Sequence, residues 1–347
     1  MDSNPYRYYK VEHVHLACFL FIECVGSTAN LASLALQRLK QGFRPAPITA
    51  YSRMFRDFLA FLQAAALDIS QVNTIILLAF MEFLVANHLS QSNISNHLAA
   101  IRAMFIVHGL STLPFQDERI SLFIKSLKIN AHLQPRVSKL ISIEVLNQII
   151  DACNHLRDPI LFKALYLFMF YSFLRISNVL PHSAKSFDPT RHLTRGDLIF
   201  SKNGCTIIVK WSKTLQDRKE TKTIVIPQLG NSPLCPITAL KAMYALYPGS
   251  KNDPLFIVSK SSPVVPLSDS TARKHLQKVS SSLHINPSLT FHTFRRSGTT
   301  WAFQNGVHIQ DIMAHGTWSS DTVWRYIKSI PSSSTPVSRA FSTSLFL

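Results

Sequence analysis

Four separated stretches of the sequence carry residue types able to do chemistry. Arg175 lies in FLRISNVLP, Lys213 stands near the start of the polar stretch SKTLQDRKETK, His292 and Arg295 stand three apart in HTFRRSG, and the run HGTWSSDTVWRYI holds Trp318 and Tyr326. A phenol can act as a nucleophile, an imidazole moves protons near neutral pH, and a guanidinium presents a planar fork of donors to an oxyanion. Singly, each has a plainer explanation. An arginine after an apolar helix caps it, a lysine in a hairpin is simply solvated, and a histidine three before an arginine arises by chance.

Charge narrows the partner. The 347 residues carry 36 Lys+Arg against 19 Asp+Glu, a formal +17, while 47% are hydrophobic. Such a chain builds real cores and falls outside the disordered class. The net charge is +3 up to residue 130 and +14 beyond it, so the polyanion-facing chemistry concentrates in the second part. Nucleic acid comes ahead of acidic proteins or membrane headgroups, because no basic amphipathic anchor is present. Five scattered cysteines, Cys18, Cys24, Cys153, Cys205 and Cys235, lack a Cys-x-x-Cys spacing and read as reduced thiols of a cytosolic or nuclear protein. Glu82 and Lys163 interrupt the longest apolar runs, short of the roughly 18 residues of a membrane span. Glu23 likewise breaks the only stretch that imitates a secretion signal. The isolated His13, His15, His88 and His97 read as packed or surface side chains, and no metal site is expected.

The elements that must position these residues follow from periodicity. Apolar residues three and four apart over 31–39, 51–62, 72–89, 94–107 and 120–127 predict a helical bundle of four or five members, assigned to a domain over 1–130. Residues 131–140, with Pro135, form a linker, and Ser142 with Glu144 opens the first helix of a second domain, 141–347. Two helices, 143–153 and 159–173, precede short β-branched stretches at 197–200, 206–211 and 223–226, which predict a small antiparallel three-stranded sheet. Ser212 to Lys222 is then the long hairpin loop between its last two strands. The fold class is mainly α, an N-terminal bundle plus an α+β domain, ending in a Ser-rich tail.

In this order, Arg175, Lys213, His292-x-x-Arg295, Trp318 and Tyr326 resemble the tyrosine recombinase (phage-integrase) family. SQSNISNHLAAIRAMF is similar to its core-binding helix, DLIF followed by TIIVKWSKTLQ to its sheet with the active-site lysine, and GTWSSD with Tyr326 eight residues beyond Trp318 to eukaryotic mobile-element recombinases. The resemblance implies a site-specific recombinase that cuts and rejoins DNA through a 3′-phosphotyrosyl intermediate, with neither metal nor ATP nor any other cofactor. Tyr326 is then the nucleophile, Arg175 and Arg295 the paired phosphate forks, Lys213 the acid for the departing 5′ oxygen, His292 a proton carrier, and Trp318 an indole donor to the phosphate. The implied partners are double-stranded DNA, held in a C-shaped clamp, and three further copies in a tetramer on two DNA sites. Nuclear action follows in a eukaryote, cytoplasmic action otherwise.

The sequence departs from the family at Asn178, where an acidic residue is common, so orientation of Arg175 falls to an amide. His315, three before Trp318, competes for its role; the spacing to Tyr326 favours Trp318. Expected contacts to the DNA backbone are Arg136 and Lys139 in the linker, Arg218, Lys219 and Lys222 in the hairpin, Arg296 beside the second arginine, and Arg53 and Arg102 in the first domain, where Arg56, Lys125 and Lys128 share the same basic character. Two other readings share much of this pattern: a type IB topoisomerase-like enzyme, and a domesticated DNA-binding protein without turnover.

Overall fold

The computed structural model describes residues 45–130, 140–211, 221–259, 263–318 and 320–327, with residues 34 and 38 besides. Arg136, Lys139, Lys213, Arg218 and Lys219, and the Ser-rich tail, lie outside them. The chain divides into two compact units, Met1–Pro135 and Arg136–Leu347.

The described part of the first unit has four α-helices: α1 Pro45–Ala64, α2 Thr74–Ala86, α3 Gln91–Val107 and α4 Glu118–Asn130. Their starts are set by side-chain caps. The Asn73 side chain accepts from the Ile75 and Ile76 N–H groups at 2.9 and 3.1 Å, meeting donors that have no partner within the helix. Ser90 does the same for Asn93. The apolar faces converge on Phe58, Leu77, Phe80, Met81 and Ile101, with Phe58 edge-on to Phe80 at 5.0 Å. His97 is packed there: Nδ1 donates to the Asn93 carbonyl at 2.9 Å and Nε2 lies 3.6 Å from Asp57. The Asp57 contact, opposed by burial, raises its pKa. Arg53, Arg56, Arg102, Lys125 and Lys128 are all exposed.

In the second unit α5 Ile143–Ala152 opens where Ser142 accepts from the Val145 N–H at 3.3 Å. Next comes α6 Pro159–Ser172, with ten of its fourteen residues buried, and a helix apolar on all sides belongs at the centre of a domain. Around it pack α8 Pro236–Leu246 and α10 Phe291–Gln304; α7 Ile176–Val179, α9 Asp269–Ser282 and α11 Ile309–His315 complete the helices. Gly298 lets α10 close on the end of α6: a Cβ there would stand 2.1 Å from the Phe170 carbonyl oxygen.

The sheet is antiparallel in the order β1 Leu198–Phe200, β2 Gly204–Val209, β3 Lys222–Pro227. Ile207, Val209, Ile224 and Ile226 are buried, while Thr223 and Val225 face out, the period-2 alternation of a half-covered sheet. Five strand ends differ from the sequence reading: β1 starts at 198 rather than 197, β2 spans 204–209 rather than 206–211, and β3 spans 222–227 rather than 223–226. Asp197 is a cap, its carboxylate accepting from the Thr194 N–H and hydroxyl at 2.8 Å each, so β1 begins one residue later. Lys222 is a strand residue paired with Val209; the ladder extends past Thr223 because the backbone pairs whatever the side chain.

His275 on α9 shows what this core costs in acid. Its ring stacks on Phe162 with centroids 3.5 Å apart, and Nδ1 is 2.7 Å from the Tyr166 hydroxyl. Burial pushes its pKa from 6.5 down to about 4, so the unfolded chain takes the proton first. The associated stability is complete above pH 6.5 and falls by about 3 kcal/mol as pH drops to about 4. Burial also lowers His192, His292 and His315, which acts in the same direction. Urea unfolding of the full chain, followed from neutral pH to the bottom of that window, is expected to show this loss, and His275→Gln to flatten part of it.

Candidate active site

The site forms where the ends of α6 and α11 meet one face of α10. Helix α6 stops because Phe173 takes a left-handed conformation, φ 52°, which turns the chain and makes Arg175 the residue that opens α7. Helix α10 starts at Thr290, whose side chain accepts from the Thr293 N–H at 3.2 Å. From that start His292, Arg295 and Arg296 follow at i, i+3 and i+4, and therefore share a face.

Arg295 is 1% exposed. Nη1 donates to the Phe173 carbonyl and Nη2 to the Gly316 carbonyl, the latter at 2.9 Å. The guanidinium carbon lies 3.9 Å from the Trp318 ring centre and 5.2 Å from that of Tyr326, within cation–π range. Burial, then the charge of Arg175, lowers its pKa to about 9. No salt bridge to it is found among the described residues.

Trp318 and Tyr326 complete the wall, with ring centroids 5.0 Å apart, edge to face. Room for the indole comes from Gly316, where a Cβ would fall 1.6 Å from Trp318 Cζ3. Tyr326 follows a short 3-10 turn, Asp321–Arg325. Its carbonyl accepts from the Thr300 hydroxyl at 3.0 Å, and its ring leans on a small core of Phe173, Ala302, Ile312, Trp318, Val323 and Ile327. His292 is exposed at the rim, 4.9 Å from the Tyr326 ring. Partial desolvation, then the charges of Arg296, Arg295 and Arg175, hold its pKa below the usual imidazole value, leaving it neutral and able to accept a proton at pH 7.

One feature unites these groups. Arg175 Nη1, Arg295 Nε, Arg296 Nε and Trp318 Nε1 are all buried donors without a hydrogen-bond partner. Each such group costs about 1–3 kcal/mol; Arg295 and Trp318 meet the Tyr326 ring, and the charges of Arg175 and Arg296 reach His292, an arrangement chemically suited to an anion.

Thus Arg175, His292, Arg295, Arg296, Trp318 and Tyr326 are brought together from sequence positions 151 residues apart. Of the two residues competing for one role, Trp318 touches Tyr326; the Nε2 of His315 donates to the Tyr171 carbonyl at 2.8 Å, with its ring on Phe173. Asn178 departs from expectation: its amide donates to the Trp211 carbonyl at 2.5 Å, and its link to Arg175 is a backbone bond of 2.8 Å. Sequence reasoning missed Gly316, Thr300 and the Phe173 carbonyl. Only Gly316, two before the tryptophan, left a signal in residue type.

The description of the phage integrase family fits residues 139–331, more than half of the chain. The chain belongs to the phage integrase family. Residues 36–107 match the phage integrase N-terminal SAM-like domain. Among solved structures, this integrase is similar to the XerH site-specific recombinase bound to difH substrate in a pre-cleavage complex (14% identity over 85% of this chain and 77% of that one, TM-score 0.55). It is also similar to a lambda integrase dimer bound to a COC′ core site (15%, 87% and 80%, TM-score 0.55). A third is the Tn1549 transposon integrase in complex with transposon right end DNA (13%, 87% and 99%, TM-score 0.56). No curated protein matches the sequence. The helical fold with one three-stranded antiparallel sheet is that of a tyrosine recombinase, and the integrase is a DNA-cutting and rejoining enzyme of that type. Among the described residues no helix is long and apolar enough to cross a membrane.

Gly316→Ala tests the packing of the indole. The backbone there, φ −83°, accepts alanine, so the new methyl acts on Trp318 alone. The methyl displaces the buried indole from its core, so DNA cleavage is expected to fall by about 10²-fold and the thermal midpoint of the full chain to drop with it.

Proposed function

We propose that Tyr326 attacks a phosphodiester of double-stranded DNA, and that the surrounding groups act as follows. The observation that carries this reading is the pair of unpartnered buried donors, Arg295 Nε and Trp318 Nε1, whose side chains meet the Tyr326 ring, with the charges of Arg175 and Arg296 reaching His292 beside it. The phenol oxygen bonds to phosphorus and the bond from phosphorus to the 5′ oxygen breaks, leaving a 3′-phosphotyrosyl linkage. His292, neutral at pH 7, takes the phenol proton, and Lys213 gives one to the departing 5′ oxygen. Arg175, Arg295 and Trp318 hold the non-bridging oxygens as charge builds on them in the pentacoordinate transition state. Arg296 adds a third guanidinium on the same helical face. Attack by a different 5′ hydroxyl reverses the steps and joins new partners; the linkage stores the bond energy, so no nucleotide need be consumed.

Exchange between two duplexes cuts four strands, and each chain supplies one Tyr326, which favours a homotetramer on two DNA sites. Charge of +17 suits a backbone-dominated interface, to which the exposed Arg53 and Arg102 and the basic residues of the linker and hairpin contribute: Arg136, Lys139, Arg218, Lys219 and Lys222. The likeness to a transposon integrase supports a mobile element as the setting, and in a eukaryotic host the place of action is then the nucleus.

The test traps the intermediate on a nicked suicide duplex carrying the target site, with wild type and Tyr326→Phe compared on a denaturing gel. A covalent DNA band from wild type, lost in Tyr326→Phe, is the expected result; a band that survives the substitution overturns the assignment. The amount of band is expected to hold near neutral pH, to fall on acidification below the usual imidazole range as His292 gains its proton, and to fall again toward a pH of about 9 as Arg295 loses its own. Binding should weaken steeply with salt.

A further inference from the structure

One turn of helix has two ends that do different things. Arg175 opens α7 and brings its guanidinium to the site. Three residues later Asn178, 2% exposed, turns the other way. Its side-chain amide donates to the Trp211 carbonyl at 2.5 Å and its backbone carbonyl accepts from the Leu193 N–H at 2.9 Å, so the residue is held through side chain and main chain alike.

Trp211 stands at the root of the β2–β3 hairpin, two residues past the last strand pair, Val209 with Lys222. The root is held from three sides. The guanidinium of Arg191 lies 4.8 Å from the centre of the Trp211 ring. Lys210 pairs with Asp197 at 2.7 Å, and Asp197 is buried and fixed by Thr194. Asn178 holds the backbone itself, and Lys213 comes two residues further along the sequence.

We propose that Asn178 is a positioning residue for the leaving-group acid: by donating to the Trp211 carbonyl it fixes the backbone two residues before Lys213 in sequence, and ties it to the turn that carries Arg175. The inference rests on the roles given above to Tyr326 and Lys213. It also explains the residue type. An ionised carboxylate is an acceptor only and would face another acceptor in the Trp211 carbonyl, whereas an amide supplies the donor. The departure from the family's usual acid thus matches a bond that only a donor can make.

The experiment compares two suicide duplexes, one with an ordinary 5′ oxygen at the scissile bond and one with sulfur in its place. A thiolate leaves without a proton, so the sulfur duplex needs no acid. Covalent complex formation is timed for wild type, Tyr326→Phe, Lys213→Ala and Asn178→Asp, with thermal midpoint and salt-sensitive DNA binding recorded for each. Asn178→Asp is expected to slow cleavage of the oxygen duplex by about 10- to 100-fold and to cleave the sulfur duplex at the wild-type rate. Equal slowing on both, or no slowing on either, overturns the proposal. If Asn178→Asp does not fold, Arg191→Met decides, since that side chain is exposed: slowing confined to the oxygen duplex supports the proposal and an unchanged rate on both rejects it. Absence of any wild-type covalent complex, or its persistence in Tyr326→Phe, counts instead against the tyrosine assignment. Lys213→Ala that sulfur does not rescue removes the lysine role and the positioning role together.

Discussion

A guanidinium that water cannot reach, and that no carboxylate among the described residues meets, has to be held by something else. Around Arg295 the holders are two backbone carbonyls and two aromatic faces. Carbonyls at the ends of helices carry partial negative charge, so the C-terminal ends of α6 and α11 are the parts of the fold best suited to face a buried cation. The rest of the second unit follows from that demand. Phe173 must turn left-handed to end α6 at the right place, Gly298 must be bare so that α10 can reach it, and Gly316 must be bare so that the indole can lie over the cation. Burying such a charge costs several kcal/mol, a cost carried by the apolar packing of α6.

That strain has a use. The unpartnered donors of Arg175, Arg295, Arg296 and Trp318 are satisfied by an anion and by little else in a protein interior. Binding of a phosphate should therefore be felt as stability by the whole unit, because a ligand that meets the folded state alone draws the equilibrium toward it. Preorganisation and modest stability are two aspects of one arrangement, in which donors are fixed before the charge they will meet has formed.

Much of this was legible in the sequence, and the parts that were not share a cause. The helix start at Ser142, the buried helix at 159–172 and the three short strands all announce themselves through side-chain type and period, whereas α3 begins at Gln91, three residues before the apolar period that predicted it. So do His292, Arg295, Trp318 and Tyr326, because their chemistry resides in their side chains. What stayed hidden runs through the backbone. The carbonyls of Phe173 and Gly316 look like any others in a sequence, and so does that of Trp211, so neither the anchoring of Arg295 nor the direction of Asn178 could be read. Lys222 was misplaced for the same reason: it joins β3 through main-chain pairing to Val209, to which its charge is indifferent.

The attachment of Tyr326 bears on how the site would respond to movement. Its carbonyl is held by Thr300 and its ring by His292 and Trp318, all of the same chain. Within one protomer the phenol and the groups that face it are therefore fixed together. A displacement of the short turn Asp321–Arg325 would shift the ring against all of them at once.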